Sequence, residues 1–165
     1  MKATLTRGAG NALPALFMLL VILLARVPFH DSGAGPFVPL FSLIFAYHFR
    51  LHYPPAAPLW LLFGFGLLED FLAGGALGLT SLLLLLVAAL LERKRALFAP
   101  TSLLMDVFTF AVFAFAFAFA YWLVAGFVEA RLLPGIPFLV LATATAAAYP
   151  AFVWMFRRLF RRYGS

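Results

Sequence analysis

The chain has 165 residues, of which 65% are hydrophobic and 11% charged, against about 25% charged in an average soluble domain, so a water-soluble fold is excluded. With roughly 20 apolar residues needed per spanning helix, there is room for about six such helices and for no extramembrane domain. The formal net charge is +6, and the absence of cysteine removes disulfides, thiolate metal sites and cysteine nucleophiles from consideration.

Helix one is predicted over about residues 12–27, ending at Pro28 before a turn of His30, Asp31, Ser32 and Gly33. Lys2 and Arg7 ahead of this run imitate a secretory signal, but Ala25-Arg26-Val27-Pro28 makes a poor cleavage site, so the segment is kept as a helix. Helix two, short, covers about 36–49 and is closed by Arg50, His52, Tyr53, Pro54 and Pro55. Helix three follows over about 55–72, with Pro58 fitting a helix start, until Gly74 and Gly75 break it. Helix four spans about 76–91, returning to Arg93, Lys94 and Arg95. Pro100, Thr101 and Ser102 open helix five, about 102–126, and Glu129, Arg131, Pro134 and Gly135 mark the next turn. Helix six runs over about 136–156, followed by a basic tail, 157–165.

Ten of the twelve Lys and Arg residues fall in four groups: Lys2 with Arg7, Arg50, Arg93 to Arg95, and Arg157, Arg158, Arg161 and Arg162. Six crossings put all four groups on the cytoplasmic side, with both termini inside and Asp31, Glu129 and the Glu69-Asp70 pair at or near the outer surface. Without helix two, Lys2 and Arg7 would face away from Arg93, and 36–49 would be interfacial or re-entrant. Because the basic residues sit at helix ends rather than on one continuous face, anionic lipid headgroups rather than nucleic acid are the expected counterions. Arg157, Arg158, Arg161 and Arg162 share one helical face and are read as a lipid anchor, with docking of a cytoplasmic partner as the alternative.

From Phe108 to Tyr121, Phe and Ala nearly alternate, which in water would suggest a strand. In hydrocarbon an isolated strand leaves its backbone unpaired, so the segment is predicted helical. Ala114 with Ala118 and Ala116 with Ala120 then form small grooves beside phenylalanine ridges, suited to internal packing or to a partner's transmembrane helix.

The most specific constellation is Gly66, Asp70, Gly74 and Gly78, each four residues from the next. Counted from Pro55, Asp70 lies about 22 Å along helix three, in the outer third of a bilayer. A carboxylate there needs donors, and the exposed amides at the Gly74-Gly75 break and the start of helix four are the candidates. The bland role is a structural cap; the sharper roles are gripping a partner or relaying a proton.

The remaining polar residues do not compose a catalytic set. His48 and His52 have helical metal-ligand spacing, but Arg50 and Pro54 suggest an interfacial helix end instead. No serine or threonine is paired with a histidine as nucleophile and base, and no phosphate loop occurs, so neither an enzyme nor a cofactor is expected. Asp106, one turn inside helix five, is expected to be a solvated capping acid or the contact for a partner's Arg or Lys.

The segment from Gly66-Leu67-Leu68-Glu69-Asp70 to Gly74-Gly75-Ala76-Leu77-Gly78 resembles the signature of the rod shape-determining membrane protein MreD family. Pro39 before a run ending in Tyr47-His48-Phe49-Arg50 resembles that family's second helix, and length, helix count and basic tail are similar along nearly the whole chain. Members usually carry Pro at the position of Ala76 and an apolar residue at that of Glu69, which implies a softer helix break here. The resemblance implies an all-α, six-helix membrane fold similar to the substrate-capture subunits of energy-coupling-factor transporters. It also implies a non-enzymatic inner-membrane scaffold of the cell-elongation complex that binds MreC and works beside RodA, its transpeptidase and an actin-like filament in peptidoglycan synthesis. A substrate-capture subunit of a vitamin transporter is the rival reading, and self-association is left open.

Overall fold

Proline, glycine and serine at the segment ends decide where these apolar runs become helices. The computed structural model describes residues 14–24, 39–52, 54, 57–74, 76–93, 102–130 and 134–159, and among them every regular element is helical. α1 is Pro14–Leu24, opening on a proline whose missing N–H costs nothing in a first turn. α2 is Phe41–His52 and α3 is Leu59–Ala73. α4 is Leu79–Arg93, α5 Leu103–Val128 and α6 Ile136–Leu159.

Several boundaries differ from the sequence expectation for local reasons. Pro58 is extended (φ −65°, ψ 152°) and caps α3, which begins at Leu59 and not near residue 55. Asp70 therefore lies eleven residues into α3, about 17 Å along its axis instead of about 22 Å. α4 starts at Leu79 and not at 76, because Gly78 takes φ +90°, outside the helical region. Ser102 caps α5, its hydroxyl accepting from the Met105 amide at 3.3 Å. α6 continues three residues past the expected end and carries Pro150 in its interior.

Among the described residues two helices, α5 and α6, are long and apolar enough to cross a bilayer on their own. The described parts of the other four are 15 residues or shorter, below the roughly 20 that a full crossing takes. α3 and α4 form one antiparallel hairpin and α5 and α6 another, with α4 touching α5. α2 packs against α3, α4 and α6 and is buried on every side, from Ser42 to Leu51. Buried from Ser42 to Leu51 and contacted by three helices, α2 is the centre of the bundle. α1 is attached through buried Met18 and Ile22, with Phe17 edge-on to Phe156 at 5.8 Å.

Helical geometry sorts the Phe/Ala run as expected. Phe110, Phe113, Ala114, Phe117 and Ala118 face the core, while Phe108, Val112, Phe115, Ala116 and Phe119 face out. Phe110 stacks on Tyr149 at 4.1 Å and meets Tyr47 edge-on at 5.2 Å, so rings from α2, α5 and α6 share one aromatic layer.

Candidate functional site

The residues spaced four apart converge on the α3–α4 hairpin, each with its own task. Gly66 is the point of closest approach: a Cβ there would lie 2.5 Å from Ser81 Cα, so only glycine lets the two backbones meet. The Ser81 hydroxyl, in the same contact, donates to Phe63 O at 2.9 Å. Gly74 ends α3 in the left-handed region (φ +66°), its amide reaching Phe71 O. Asp70, fully buried, accepts from the Gly78 amide at 2.8 Å and from the Thr80 amide at 3.0 Å. The donors at the start of α4 expected for this carboxylate are the ones it uses, and the N-terminal dipole of α4 favours its charge. Gly75 lies outside the described residues.

Glu69, treated in the sequence only as an extra acid, is also buried and holds a different helix. It accepts from the Ser42 amide at 3.3 Å and from the Ser42 hydroxyl, at the first turn of α2. Consecutive residues on a helix point about 100° apart, so neighbouring carboxylates near the end of α3 reach the starts of two helices. Adjacent acids in an apolar run were the available signal.

Asp106 corrects an expectation. It is 3% exposed rather than solvated, and its two oxygens accept from Tyr47 OH at 3.2 Å and Tyr149 OH at 2.8 Å. The carboxylate joins α5 to α2 and α6. Arg50 is likewise no free surface charge: it is buried, donates to Ala57 O at 3.3 Å and pairs with Glu92. His48 and His52 stack with centroids 4.7 Å apart, and the His52 ring lies 3.0 Å from His48 O, the bond of a helix end. Among the described residues, no three His, Asp or Glu side chains gather as a metal would require.

The two alanine pairs separate. Ala114 and Ala118 are buried against the core, whereas Ala116 is exposed and Ala120 half-buried. Of the anchor arginines, Arg158 is exposed and lies 5.4 Å over the exposed Trp154 ring, an aromatic-basic pairing typical of a membrane interface. The Arg157 side chain, Arg161 and Arg162 lie outside the described residues, as do Lys2, Arg7, Arg26, Lys94, Arg95 and Arg131.

Among the described residues the three buried acids, Glu69, Asp70 and Asp106, are thus engaged in holding one helix to another, and two of them receive backbone amides at helix starts. Nothing in this arrangement positions a nucleophile against a base. It assembles a bundle that, among the described residues, exposes many large apolar side chains, such as Trp60, Phe71, Phe108 and Phe119. A family model described as rod shape-determining protein MreD matches residues 10–162, nearly the whole chain. No curated protein and no solved structure matches. On that match, with its long apolar helices and its glycine-acid hairpin, the chain belongs to the MreD family of rod shape-determining membrane proteins.

Proposed function

We propose that the chain is a multi-pass scaffold of the bacterial cytoplasmic membrane, with both termini cytoplasmic, that binds MreC and helps position RodA and its transpeptidase during cell elongation. The family match over residues 10–162 carries this reading. Its physical support is the division of labour among side chains. Buried acids serve internal fastening, so a partner meets an outward face of α5 made of phenylalanine ridges and the small residue Ala116. In lipid, where helices gain nothing from expelling water, such ridge-and-groove packing is a principal source of helix recognition. Exposed Arg93 and Arg158, with the rest of the basic tail, engage anionic headgroups and hold the cytoplasmic orientation.

Tagged protein extracted in mild detergent from membranes of a rod-shaped bacterium tests the proposal. MreC is expected to co-purify in stoichiometric amount. Intact protein that carries no MreC, and instead retains a small vitamin in native mass spectrometry, would sink the scaffold reading in favour of substrate capture. Reporter fusions at the two ends test the orientation, and ends on opposite faces would overturn it.

A further inference from the structure

α2 has twelve residues and rises about 18 Å, against the ~30 Å of a hydrocarbon core. Its start does not open onto water. Leu40 and Ser42 are buried, and their amides, which the helix cannot satisfy itself, donate to Thr145 Oγ1 at 3.1 Å and to Glu69 Oε1 at 3.3 Å. Thr145 follows Ile136 by nine residues, about 14 Å along the 24-residue α6, which is about 36 Å long. α2 therefore begins at mid-height of the long hairpin, well below its outer end. At that depth hydrocarbon offers backbone N–H groups no partner, so protein side chains have to supply one. The other end carries Arg50, held by Glu92 and Ala57 O.

We infer that α2 is a half-span kept at membrane depth by polar side chains of its neighbours, with Glu69 as the receptor for its first turn. Ser42, His48, Arg50 and His52 within one short helix leave it too little apolar length to hold itself in a bilayer. The two hairpins do not share this dependence. α3–α4 is closed by Gly66 and Asp70, and α5–α6 by the Asp106–Tyr149 bond. Glu69 is thus a positioning residue for α2, whose first turn it receives. The inference rests on the membrane-spanning reading above, but its test does not involve MreC, so failure of partner binding and failure of the half-span are told apart.

The chain contains no cysteine, so one introduced thiol reports one place. Ala46→Cys places a small reporter in fully buried α2, and Ala114→Cys does so in the core face of α5. Full-length protein in opened membrane vesicles is treated with a water-soluble maleimide. Adding Glu69→Leu is expected to speed labelling of Ala46→Cys at least tenfold. Glu69→Gln, whose amide oxygen still accepts from Ser42, is expected to leave it slow, and Ala114→Cys is expected to stay slow throughout. Unchanged labelling of Ala46→Cys in the Glu69→Leu chain overturns the inference. So does equal acceleration of Ala114→Cys, which would make Glu69 a fastener of the whole bundle, or a Glu69→Gln chain that behaves like Glu69→Leu.

Discussion

A single methyl group added at Gly66 tests how α3 and α4 are joined. The new Cβ would stand 2.5 Å from Ser81 Cα and 2.6 Å from Ser81 N, main-chain atoms that no rotamer change can move aside. Carbon pairs rest at about 3.5–4.0 Å, so the helices must part by about 1 Å at their crossing. Overpacking of this kind costs about 1–3 kcal/mol. Parting also stretches the 2.9 Å bond from the Ser81 hydroxyl to Phe63 O, worth about 0.6 kcal/mol in a membrane bundle. Against this, alanine returns up to about 1 kcal/mol of helix propensity over glycine. The balance is a loss of about 2 kcal/mol. For a chain of this length that lowers the melting temperature by about 4–8 °C.

The control is built into the same helix. A Cβ at Gly64 would meet nothing within 4 Å, so Gly64→Ala keeps the propensity gain without the clash and should melt at or slightly above the parent. Both variants are purified in one detergent-lipid mixture and heated at one scan rate. Gly66→Ala melting at or above Gly64→Ala would refute the close crossing and with it the reason for glycine at that position.

Other perturbations separate the roles of the remaining residues. Asp70→Asn keeps one oxygen to accept from the Gly78 and Thr80 amides but loses the charge that the start of α4 favours and turns its NH2 toward the Thr80 amide, costing about 1–2 kcal/mol. It should lower accumulation in the membrane and the yield of the MreC complex, and unaltered complex yield and cell width would remove the case for the acid. Tyr47→Phe and Tyr149→Phe should each cost about 1 kcal/mol, and the double variant should cost more than their sum, because Asp106 then loses both phenol donors. A melting-temperature cycle that proves additive would show that the two phenols do not share this carboxylate. Ala118→Leu overpacks the core by about 1–3 kcal/mol, while Ala116→Leu, at an exposed position, should change stability by no more than about 0.5 kcal/mol. Ala116→Leu is expected to melt like the parent and yet carry less MreC; normal MreC yield would remove Ala116 from the interface.

Much of the hairpin was legible because its chemistry is local. Gly66, Asp70, Gly74 and Gly78 lie within thirteen residues, and a helix end, a turn and a helix start follow from spacing alone. What spacing cannot supply is the identity of the side chain across the gap. Glu69 finds its partner 27 residues away in Ser42, and Asp106 finds Tyr47 at a separation of 59. Asp106 looked solvated because it stands in the first turn of α5, where water is the default, and only the packing of α2 and α6 over that turn buries it. Arg50 was counted among the cytoplasmic charges. Its pairing with Glu92, 42 residues on, depends on α2 and α4 lying side by side, which no periodicity states.

These ties bear on how a partner can be recognised. Between helices immersed in lipid the hydrophobic effect gives no preference for one arrangement over another, so the bundle's own geometry must come from close packing and a few polar bonds. Glu69, Asp70 and Asp106 place those bonds inside, at helix starts and between rings, where an unpaired group would be most costly. A carboxylate turned outward would bind a partner more strongly but would face hydrocarbon whenever that partner was absent. Spending the acids internally leaves an exterior face of α5, from Phe108 to Phe119, that is stable bare in lipid and can still be covered by another helix. For the docking proposed above, affinity is then expected to be set by how deeply the partner's helix seats beside Ala116. It should fall with side-chain size at that position and respond little to salt.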